Sequence, residues 1–384
     1  MIEFRKLSKS YDKVTNVVDQ LDLVVDDGEL VVLIGESGCG KTTTMKMINR
    51  LIEPTSGEIL INGKNVLDVN PIELRRNIGY VIQKVGLMPH MTVADNIELV
   101  AYLKKWDKKK RRARSSELLE MVGLDPKTYM DRFPNELSGG QQQRIGVARA
   151  LAVNPDIILM DEPFSAVDPI TREQLQEELI RLQDEVKKTI VFVTHDMDEA
   201  MKLGDKIAVM KDGKILQFDT PERILKHPID QFVEYFVGKD RLWKTPEMLY
   251  AGDIMFKRSP GVLSGRTPAF ALELMREHDT EFLVVVDAPR DRPRKMLGVI
   301  TPQELKGKGT AEHNQMKDLM RTDYPTVTDV TSMVEVLSLM KTRQLRHVPV
   351  IGAEDGYFKG VVTYGSIVNI ITDVVTDLEE AKGG

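Results

Sequence analysis

The chain has 384 residues, which is more than one typical domain needs and suits about two or three. Its single cysteine excludes a disulfide-stabilised scaffold and fits a reducing cytosol, and its formal net charge of −6 disfavours nucleic acid as the main partner. The charged N-terminus lacks the apolar core of a signal peptide, and no apolar run approaches the ~18–20 residues that cross a bilayer.

A phosphate-binding loop follows the first strongly apolar run. Residues 30–34 are continuously apolar, as in a buried strand, and 43–51 are expected to begin the next helix. Between them the sequence fits G-x-x-x-x-G-K-[ST], in which backbone N–H groups surround phosphates, Lys41 reaches the β/γ oxygens and the Thr42 hydroxyl holds Mg²⁺. Cys39 is interpreted as a small residue that fits the turn. The predicted ATP contacts here are Gly35, Glu36, Ser37, Gly38, Cys39, Gly40, Lys41, Thr42 and Thr43.

A basic run lies between this loop and the next motif. Residues 104–114 carry eight basic side chains against one acid, with Trp106 among them. The run is read as a solvated helix face, and contact with anionic lipid headgroups is the alternative.

A second anion-binding sequence begins near residue 137. Ser138, Gly139, Gly140 and Gln141 precede residues 142–151, which are expected to form a helix whose N-terminus is free to face an anion. A single nucleotide needs only one phosphate loop. Two copies of the chain packed head to tail could therefore hold ATP between the loop of one and the serine–glycine helix start of the other.

Two later apolar runs deliver polar side chains to one predicted sheet edge. Residues 157–160 end in Asp161 and Glu162, and residues 190–194 end in His195. Leu175, Leu179, Leu182 and Val186 recur at helical spacing between these runs. Strands that alternate with helices indicate an α/β fold with a largely parallel sheet, whose ligands bind at the carboxyl ends of the strands.

The tail from residue 253 to 373 contains an internal repeat. Three blocks recur at a spacing of 65 residues and a fourth at 62, and each unit is predicted as helix, apolar strand, turn, strand, helix. The paired blocks are 253–255 with 318–320, 272–275 with 337–340, 282–285 with 347–350, and 298–301 with 360–363.

Residues 2–238 resemble the ABC ATPases, because the phosphate loop and Leu137–Gln141 occur together and in order. The resemblance implies an α/β P-loop NTPase fold with a helical subdomain carrying the second motif. It assigns Asp161 and Thr42 to Mg²⁺, Glu162 to the attacking water, and His195 to the γ-phosphate. It further implies that Gln83 links metal and water to the transport subunits, that Tyr11 contacts adenine, and that Asp168, in the segment 165–168, passes between two ATP sites.

The repeated tail resembles tandem CBS domains, which often bind adenine nucleotides in their clefts. A Thr or Ser and an Asp three residues later commonly hold the ribose in that family. The first repeat has Thr301 and Glu304, and the second has Thr363 but Ser366 where the acid is expected. The tail is read either as a dimerising element or as a sensor of ionic strength, an adenine nucleotide or cyclic di-AMP. The expected domains are 1–238 for the ATPase, 239–252 for a linker, and 253–310 and 311–376 for the CBS repeats.

Within the ABC group, the segments 45–57, 88–92 and 161–172 together with the fused repeats are similar to the ATPases of glycine betaine, carnitine and choline importers. The resemblance implies separate membrane permease subunits, with residues 85–92 as their docking segment, and an extracytoplasmic substrate-binding protein as an indirect partner. It places the chain peripherally at the cytoplasmic face of the membrane. An importer for another small solute and a non-transport ABC ATPase acting on ribosomes or DNA are the alternatives.

Overall fold

The structure, a computed structural model, describes residues 1–83, 86–165, 167–238, 248–257, 259–289, 292–306 and 315–369. It divides into two compact units, Met1–Val237 and Gly238–Gly384. Most of the predicted linker, residues 239–247, and the end of the second predicted repeat lie outside the described residues, as do Ala166 and the first residue of the predicted docking segment. No helix in the described ranges is long and apolar enough to cross a membrane.

Two sheets form the framework of the first unit. Its strands are β1 (Ile2–Ser10), β2 (Asn16–Val25), β3 (Leu30–Gly35), β4 (Ser56–Ile61), β5 (Lys64–Asn65), β6 (Ile78–Val81), β7 (Ile157–Asp161), β8 (Thr189–Thr194), β9 (Lys206–Lys211) and β10 (Lys214–Asp219). An antiparallel sheet has the order β2-β1-β4-β5, and a six-stranded sheet has the order β10-β9-β3-β8-β7-β6.

The six-stranded sheet determines where the functional residues meet. Strands β9, β3, β8, β7 and β6 are parallel neighbours, so their carboxyl ends lie along one edge. Every residue of β3, β7 and β8 is buried, which explains why these strands read as continuous apolar runs rather than alternating ones.

Ten helices are described in this unit, and two begin earlier than predicted. They are α1 (Lys41–Ile48), α2 (Pro71–Asn77), α3 (Val93–Leu103), α4 (Lys108–Met121), α5 (Pro126–Tyr129), α6 (Gly139–Leu151), α7 (Pro169–Val186), α8 (Met197–Leu203), α9 (Pro221–Lys226) and α10 (Gln231–Val237). Helix α1 starts at Lys41 because Gly40 adopts the left-handed conformation at its N-cap. Helix α6 starts at Gly139 because Ser138 and Gln141 form a reciprocal capping box.

The second unit consists of two similar halves. The first has α11 (Ala251–Ile254), β11 (Gly261–Leu263), α12 (Pro268–Glu277), β12 (Leu283–Val286), β13 (Met296–Ile300) and α13 (Pro302–Lys306), and the second has α14 (Met316–Leu319), β14 (Val327–Thr328), α15 (Met333–Arg343), β15 (His347–Ile351) and β16 (Phe358–Thr363). Residues 364–369 are helical and follow β16. The predicted repeat order lacked β11 and β14, which are too short to show a period in the sequence.

The two halves of this unit share a core. Each sheet has a parallel pair followed by an antiparallel pair, in the orders β11-β12-β13 and β14-β15-β16. Isolated bridges join Phe256 to Val361 and Val299 to Arg321, so a segment from each half contacts the sheet of the other. Buried Phe282 and Phe358 belong to one apolar cluster, and the halves therefore fold as a pair.

Candidate active site

The carboxyl edge of the six-stranded sheet borders a cavity of about 720 Å³. Gly35 ends β3, Gln83 follows β6, Glu162 follows β7 and His195 follows β8, so four neighbouring parallel strands supply its wall. The described residues that line it are Val17, Gly35, Glu36, Ser37, Gly38, Gly40, Lys41, Thr42, Thr43, Gln83, Glu162, His195 and Phe236.

The phosphate loop needs glycine where it turns into α1. Gly40 has φ 104°, and a Cβ there would lie 2.5 Å from the carbonyl oxygen of Val17. Any larger residue would displace the backbone that aims the first N–H groups of α1 toward the cavity. The side chain of Cys39 is buried behind the loop, and burial raises the pKa of its thiol. Cys39 is not among the described residues that line the cavity, so its predicted ATP contact is not one that its side chain makes there, and its fit to the turn stays a prediction.

Lys41 and Thr42 connect the loop to the strand that ends in Asp161. The buried Lys41 Nζ donates to the carbonyl oxygens of Gly35 (2.7 Å) and Glu36 (2.9 Å). The Thr42 hydroxyl donates to Asp161 Oδ1 at 2.9 Å. Burial is the main cause that raises the pKa of Asp161, partly opposed by the bond from Thr42 and by the charges of nearby lysines. A carboxylate in this position gains from a cation bound beside it.

Glu162 is held from both sides. Its Oε2 accepts a hydrogen bond from Gln83 Nε2 at 2.8 Å, and its Oε1 lies 3.3 Å from His195 Nδ1. Its backbone has φ 43°, an uncommon left-handed conformation for a residue with a side chain, and its N–H donates to the carbonyl oxygen of Val193. Strained backbone of this kind persists where the surrounding structure fixes it, as at many functional sites.

Tyr11 lies beside the cavity but is 61% exposed. Its hydroxyl is 3.4 Å from Thr43 Oγ1, and Lys9 Nζ lies 5.3 Å from its ring centroid. Tyr11 follows β1, so the antiparallel sheet places an aromatic ring near the start of α1. Its assignment to adenine stays a prediction.

The second anion-binding motif lies apart from this cavity. Ser138 and Gly139 are exposed at the N-terminus of α6, and Ser138 Oγ accepts from the Gln141 N–H at 3.3 Å. A Cβ on Gly140 would lie 2.5 Å from Thr171 Cγ2, so a side chain there would collide with α7. Asp168 caps α7, and the Thr171 N–H that it accepts lowers the pKa of its carboxyl. Ser138, Gly139 and Asp168 are thus exposed on the single chain.

Three residues near the edge escaped the sequence analysis. Val17 and Phe236 line the cavity, but neither belongs to a motif, and only the tertiary fold brings them there. Glu199 is 5% exposed in α8 and accepts a bond of 2.7 Å from Thr194 Oγ1, and burial raises its pKa. This bond joins α8 to the end of β8, a contact that no motif in the sequence indicates.

The basic side chains of residues 104–114 lie in two different environments. Arg111 and Arg112 lie 3.6 and 3.5 Å from the buried carboxylate of Glu98, which joins α4 to α3. Lys110 Nζ lies 4.1 Å from the Trp106 ring centroid. The arginines therefore serve the packing of the helical arm, while the lysines at the start of α4 face solvent.

A second cavity, of about 510 Å³, lies within the second unit. The rings of Phe282 and His347 stack at 4.7 Å on its wall, and burial lowers the pKa of His347. Its described lining is Phe256, Ser259, Pro260, His278, Asp279, Thr280, Phe282, Arg346, His347, Val361, Thr363, Tyr364 and Gly365. Both halves contribute to it, and it combines aromatic faces with imidazole and guanidinium donors.

Of the predicted CBS residues, Thr363 lines this cavity and the others lie elsewhere. Thr301 donates through its N–H to Glu304 Oε2 at 2.9 Å, and its hydroxyl bonds the same oxygen, at the start of α13. In the second half, the Ser366 N–H donates to Thr363 Oγ1 at 2.9 Å and the Ser366 hydroxyl donates to the Thr363 carbonyl oxygen at 2.9 Å. Thr363 therefore caps the helix 364–369, and buried Ser366 completes the capping box by accepting from the Thr363 N–H at 3.0 Å.

Comparison with known proteins identifies the family. Residues 18–165 match the sequence family described as ABC transporter, and residues 316–373 match the one described as CBS domain. A glycine betaine/carnitine/choline transport ATP-binding protein of Bacillus subtilis (strain 168) is 46% identical over 99% of this chain and 98% of its own length. The chain belongs to the ATP-binding subunits of ABC transporters.

Further relatives and solved structures agree with this membership. A choline transport ATP-binding protein of Bacillus subtilis (strain 168) is 46% identical over 97% of both chains, and a carnitine transport ATP-binding protein of Listeria monocytogenes is 46% identical over 98% of this chain and 93% of its own. A bacterial ABC transporter cassette solved as a dimer matches with a TM-score of 0.53 and 37% identity, covering 58% of this chain and 99% of that one.

A post-hydrolysis dimer of the same cassette, bound to ADP and Pi, matches at 36% identity with a TM-score of 0.53 over 58% of this chain and 99% of that one. The predicted fold class, an ABC ATPase domain followed by CBS repeats, is therefore confirmed. As an ABC transporter subunit, the chain binds ATP and is an ATPase.

Proposed function

We propose that this ABC subunit hydrolyses ATP to power the import of quaternary-amine osmoprotectants, namely glycine betaine, carnitine and choline, through separate membrane subunits. The observation that carries the proposal is 46% identity, along nearly the whole chain, to transport ATP-binding proteins named for these solutes. The identity extends through the repeated tail, which disfavours the non-transport alternative. An importer for another small solute remains the second candidate.

Uptake measurements test the solute directly. A strain lacking this chain should lose uptake of one or more of radiolabelled betaine, carnitine and choline at high osmolarity, and the wild-type gene should restore it. The Lys41→Ala variant should not restore it, because the phosphate loop would lack the cation that reaches the β/γ oxygens. Undiminished uptake of all three solutes in the deletion strain, together with lost uptake of an unrelated solute, would favour the second candidate.

The site residues divide into roles that follow from their positions. Lys41 would exchange the carbonyl oxygens that it contacts for the β- and γ-phosphate oxygens. Glu162, held between Gln83 and His195, is positioned to orient water and accept its proton, and His195 is positioned to donate to the γ-phosphate. Phosphoryl transfer requires little covalent work from a protein, so alignment of the water and neutralisation of charge provide most of the catalysis.

The residues present fit a magnesium ion. Thr42 Oγ1 and Asp161 Oδ1 already lie 2.9 Å apart, with Gln83 on the neighbouring strand end. Mg²⁺ in nucleotide sites takes about one or two protein carboxylates together with substrate phosphates, and prefers oxygen donors. The ion would neutralise charge on the phosphate oxygens, while Thr42, Asp161 and Gln83 would hold it.

A second copy of the chain is the proposed partner that completes the site. The Ser138 hydroxyl and the free N–H groups of α6 lie on an exposed surface of the same chain, where they can face an anion held by another molecule. Asp168 lies on a neighbouring exposed cap and fits a position between two such sites. A head-to-tail homodimer would thus sandwich two ATP molecules.

The permease is proposed to dock on the helical arm. A groove of about 730 Å³ is lined by Pro89 and His90 of the predicted docking segment, by Thr128 of α5 and by residues that follow α5. Its wall includes Phe133, which is 41% exposed, between Arg132 and Asn135. A cytoplasmic helix of the membrane subunit fits this combination of an apolar contact and charged rims, and would hold the chain peripherally at the membrane. The extracytoplasmic binding protein would then be an indirect partner.

Phe133→Ala should weaken this docking without altering nucleotide binding. Aromatic anchors at interface centres commonly cost about 2 kcal/mol or more when truncated, which is roughly 30-fold in affinity. Co-purification with the permease subunits measures the effect, and ADP affinity of the isolated chain serves as the internal check. Ile229→Ala is the matched control, because Ile229 is 66% exposed and is not among the described residues that line the groove. Unchanged co-purification of Phe133→Ala would contradict the docking site.

The CBS unit is proposed to regulate activity by binding an adenine nucleotide, such as AMP, ATP or cyclic di-AMP. The cavity between its halves offers the stacked rings of Phe282 and His347 for a base, and Arg346 for a phosphate. Thr363 lies on the same wall and can reach a ribose hydroxyl. A purely dimerising tail and a sensor of ionic strength are the alternatives.

Thr363→Val should reduce nucleotide binding at this unit, whereas Thr301→Val should leave it unchanged. Of these two threonines, Thr363 lines the described cavity and Thr301 does not. The lost hydroxyl contact is worth about 1 kcal/mol, or roughly fivefold in affinity. Calorimetry on the full chain carrying Lys41→Ala, which weakens the ATPase site, measures AMP, ATP and cyclic di-AMP in turn. No heat with any of them would favour the dimerising or salt-sensing alternatives.

A further inference from the structure

Phe236 lines the ATP cavity although it lies outside the sequence motifs of the ATPase domain. It belongs to α10, the last helix of the first unit, and its half-buried ring lines the ATP cavity. Among the described lining residues, Val17 and Phe236 carry the apolar side chains, and the others are glycines or bear polar or charged groups. The cavity thus has a small apolar part beside a large polar one.

This division matches the two ends of ATP. The triphosphate requires N–H donors and cations, which the phosphate loop and Lys41 supply, and it loses solvation without compensation against an apolar ring. Adenosine carries the flat, weakly polar surface that an aromatic ring contacts favourably. We propose that Phe236 contacts the adenosine part of the nucleotide, so that nucleotide binding orders α10; this rests on ATP binding in this cavity.

A series of contacts also connects α10 to the phosphate loop. The ring of Phe232 stacks on Phe236, with centroids 5.7 Å apart and an angle of 12° between the rings. Lys211 Nζ lies 4.0 Å from the Phe232 centroid, and Lys211 begins the turn between β9 and β10. In that turn, the Gly213 N–H donates to the carbonyl oxygen of Cys39 at 3.2 Å, inside the phosphate loop.

Val17 meets this turn from the other side. A Cβ on Gly213 would lie 2.8 Å from the Val17 carbonyl oxygen, which leaves room for hydrogen only. The two apolar walls of the cavity are therefore anchored on one turn that also bonds the phosphate loop. Because α10 is the last helix before residue 238, nucleotide binding would change the order of the segment from which the chain continues into the CBS unit.

Binding measurements with two probes test the contact. We expect Phe236→Ala in the full chain to weaken ADP binding roughly three- to tenfold, the range that an aromatic contact provides. Inorganic tripolyphosphate, which lacks adenosine, should compete equally well in the variant and the wild type. Tyr235→Ala is the matched control, because Tyr235 is 86% exposed on the same helix. Wild-type ADP binding is the reference, so its absence would instead overturn the proposed function.

Two results would overturn the contact. Unchanged ADP affinity in Phe236→Ala would exclude it, and equal losses for ADP and tripolyphosphate would show that Phe236 acts only through the conformation of the phosphate loop. If Phe236→Ala does not fold, the series Phe236→Trp and Phe236→Leu decides, since Trp should bind ADP at least as tightly as Phe, and Leu more weakly. Hydrogen exchange of residues 231–237 in the wild type should slow when ADP binds, and exchange that ADP leaves unchanged would contradict the ordering of α10.

Discussion

Glu162→Gln is expected to lower ATP turnover by about 10²–10⁴-fold, the contribution of a positioned general base, while ATP still binds. An amide can keep the contacts that fix this side chain, since Glu162 Oε2 accepts from Gln83 Nε2 and its Oε1 faces His195. It cannot accept a proton from water. The variant should consequently retain the geometry of the site and lose only the step that the carboxylate performs.

Steady-state phosphate release measures ATP turnover, and light scattering measures the ATP-dependent dimer. With ATP and Mg²⁺, the variant should remain in the dimeric form that hydrolysis normally ends, because the bound triphosphate persists. Glu173→Gln makes the same chemical change at an exposed position of α7 and should behave as wild type. Near-normal turnover by Glu162→Gln would remove Glu162 from the role of general base.

Much of this site was predictable because its positions are fixed by local sequence. A buried parallel strand reads as a continuous apolar run, and the residue after it emerges at the carboxyl edge of the sheet. Asp161 and His195 follow such runs, and the structure places Asp161 beside Thr42 and His195 beside Glu162. The order of the strands in the sheet, which makes these ends adjacent, was not predicted from the sequence and comes from the structure.

Other features depend on packing that no local pattern encodes. Phe236 is separated from the phosphate loop by about two hundred residues, and only the packing of α10 in the folded unit brings its ring to the cavity. The starts of α1 and α6 were misplaced for a different reason. Glycine weakens helices in general, so Gly139 was read as preceding α6, yet capping by Ser138 places it inside the first turn.

The basic run also shows that a local sequence pattern does not identify tertiary contacts. Residues 104–114 read as one basic face, but Glu98, which precedes them in α3, is buried against Arg111 and Arg112. A run of basic residues in the sequence does not show which of their side chains form ion pairs. In the tail, the spacing of the repeat predicted paired halves, while the strands of two or three residues that complete each sheet were invisible in the sequence.

Gly139→Asp is expected to reduce ATP hydrolysis by at least about 10²–10³-fold, because an added negative charge opposes the developing charge more than the loss of one donor, which has that effect. The added carboxylate would stand at the N-terminus of α6 and repel the triphosphate of the other copy. Gly139 is the suitable position because Gly140 has no room for a side chain against Thr171, and a change there would disturb packing as well as charge.

The Gly139→Asp variant tests whether the ATP site is shared between two chains or is complete within one chain. Since Gly139 does not line the cavity of its own chain, the variant should bind ADP with normal affinity as a monomer. Combined with Glu162→Gln, it should fail to form the ATP-dependent dimer in light scattering. Gly265→Asp adds the same charge where a Cβ meets open space and should change neither property. If Gly139→Asp hydrolysed ATP at the wild-type rate, each chain would hold a complete site and the exposed helix start of α6 would need another role.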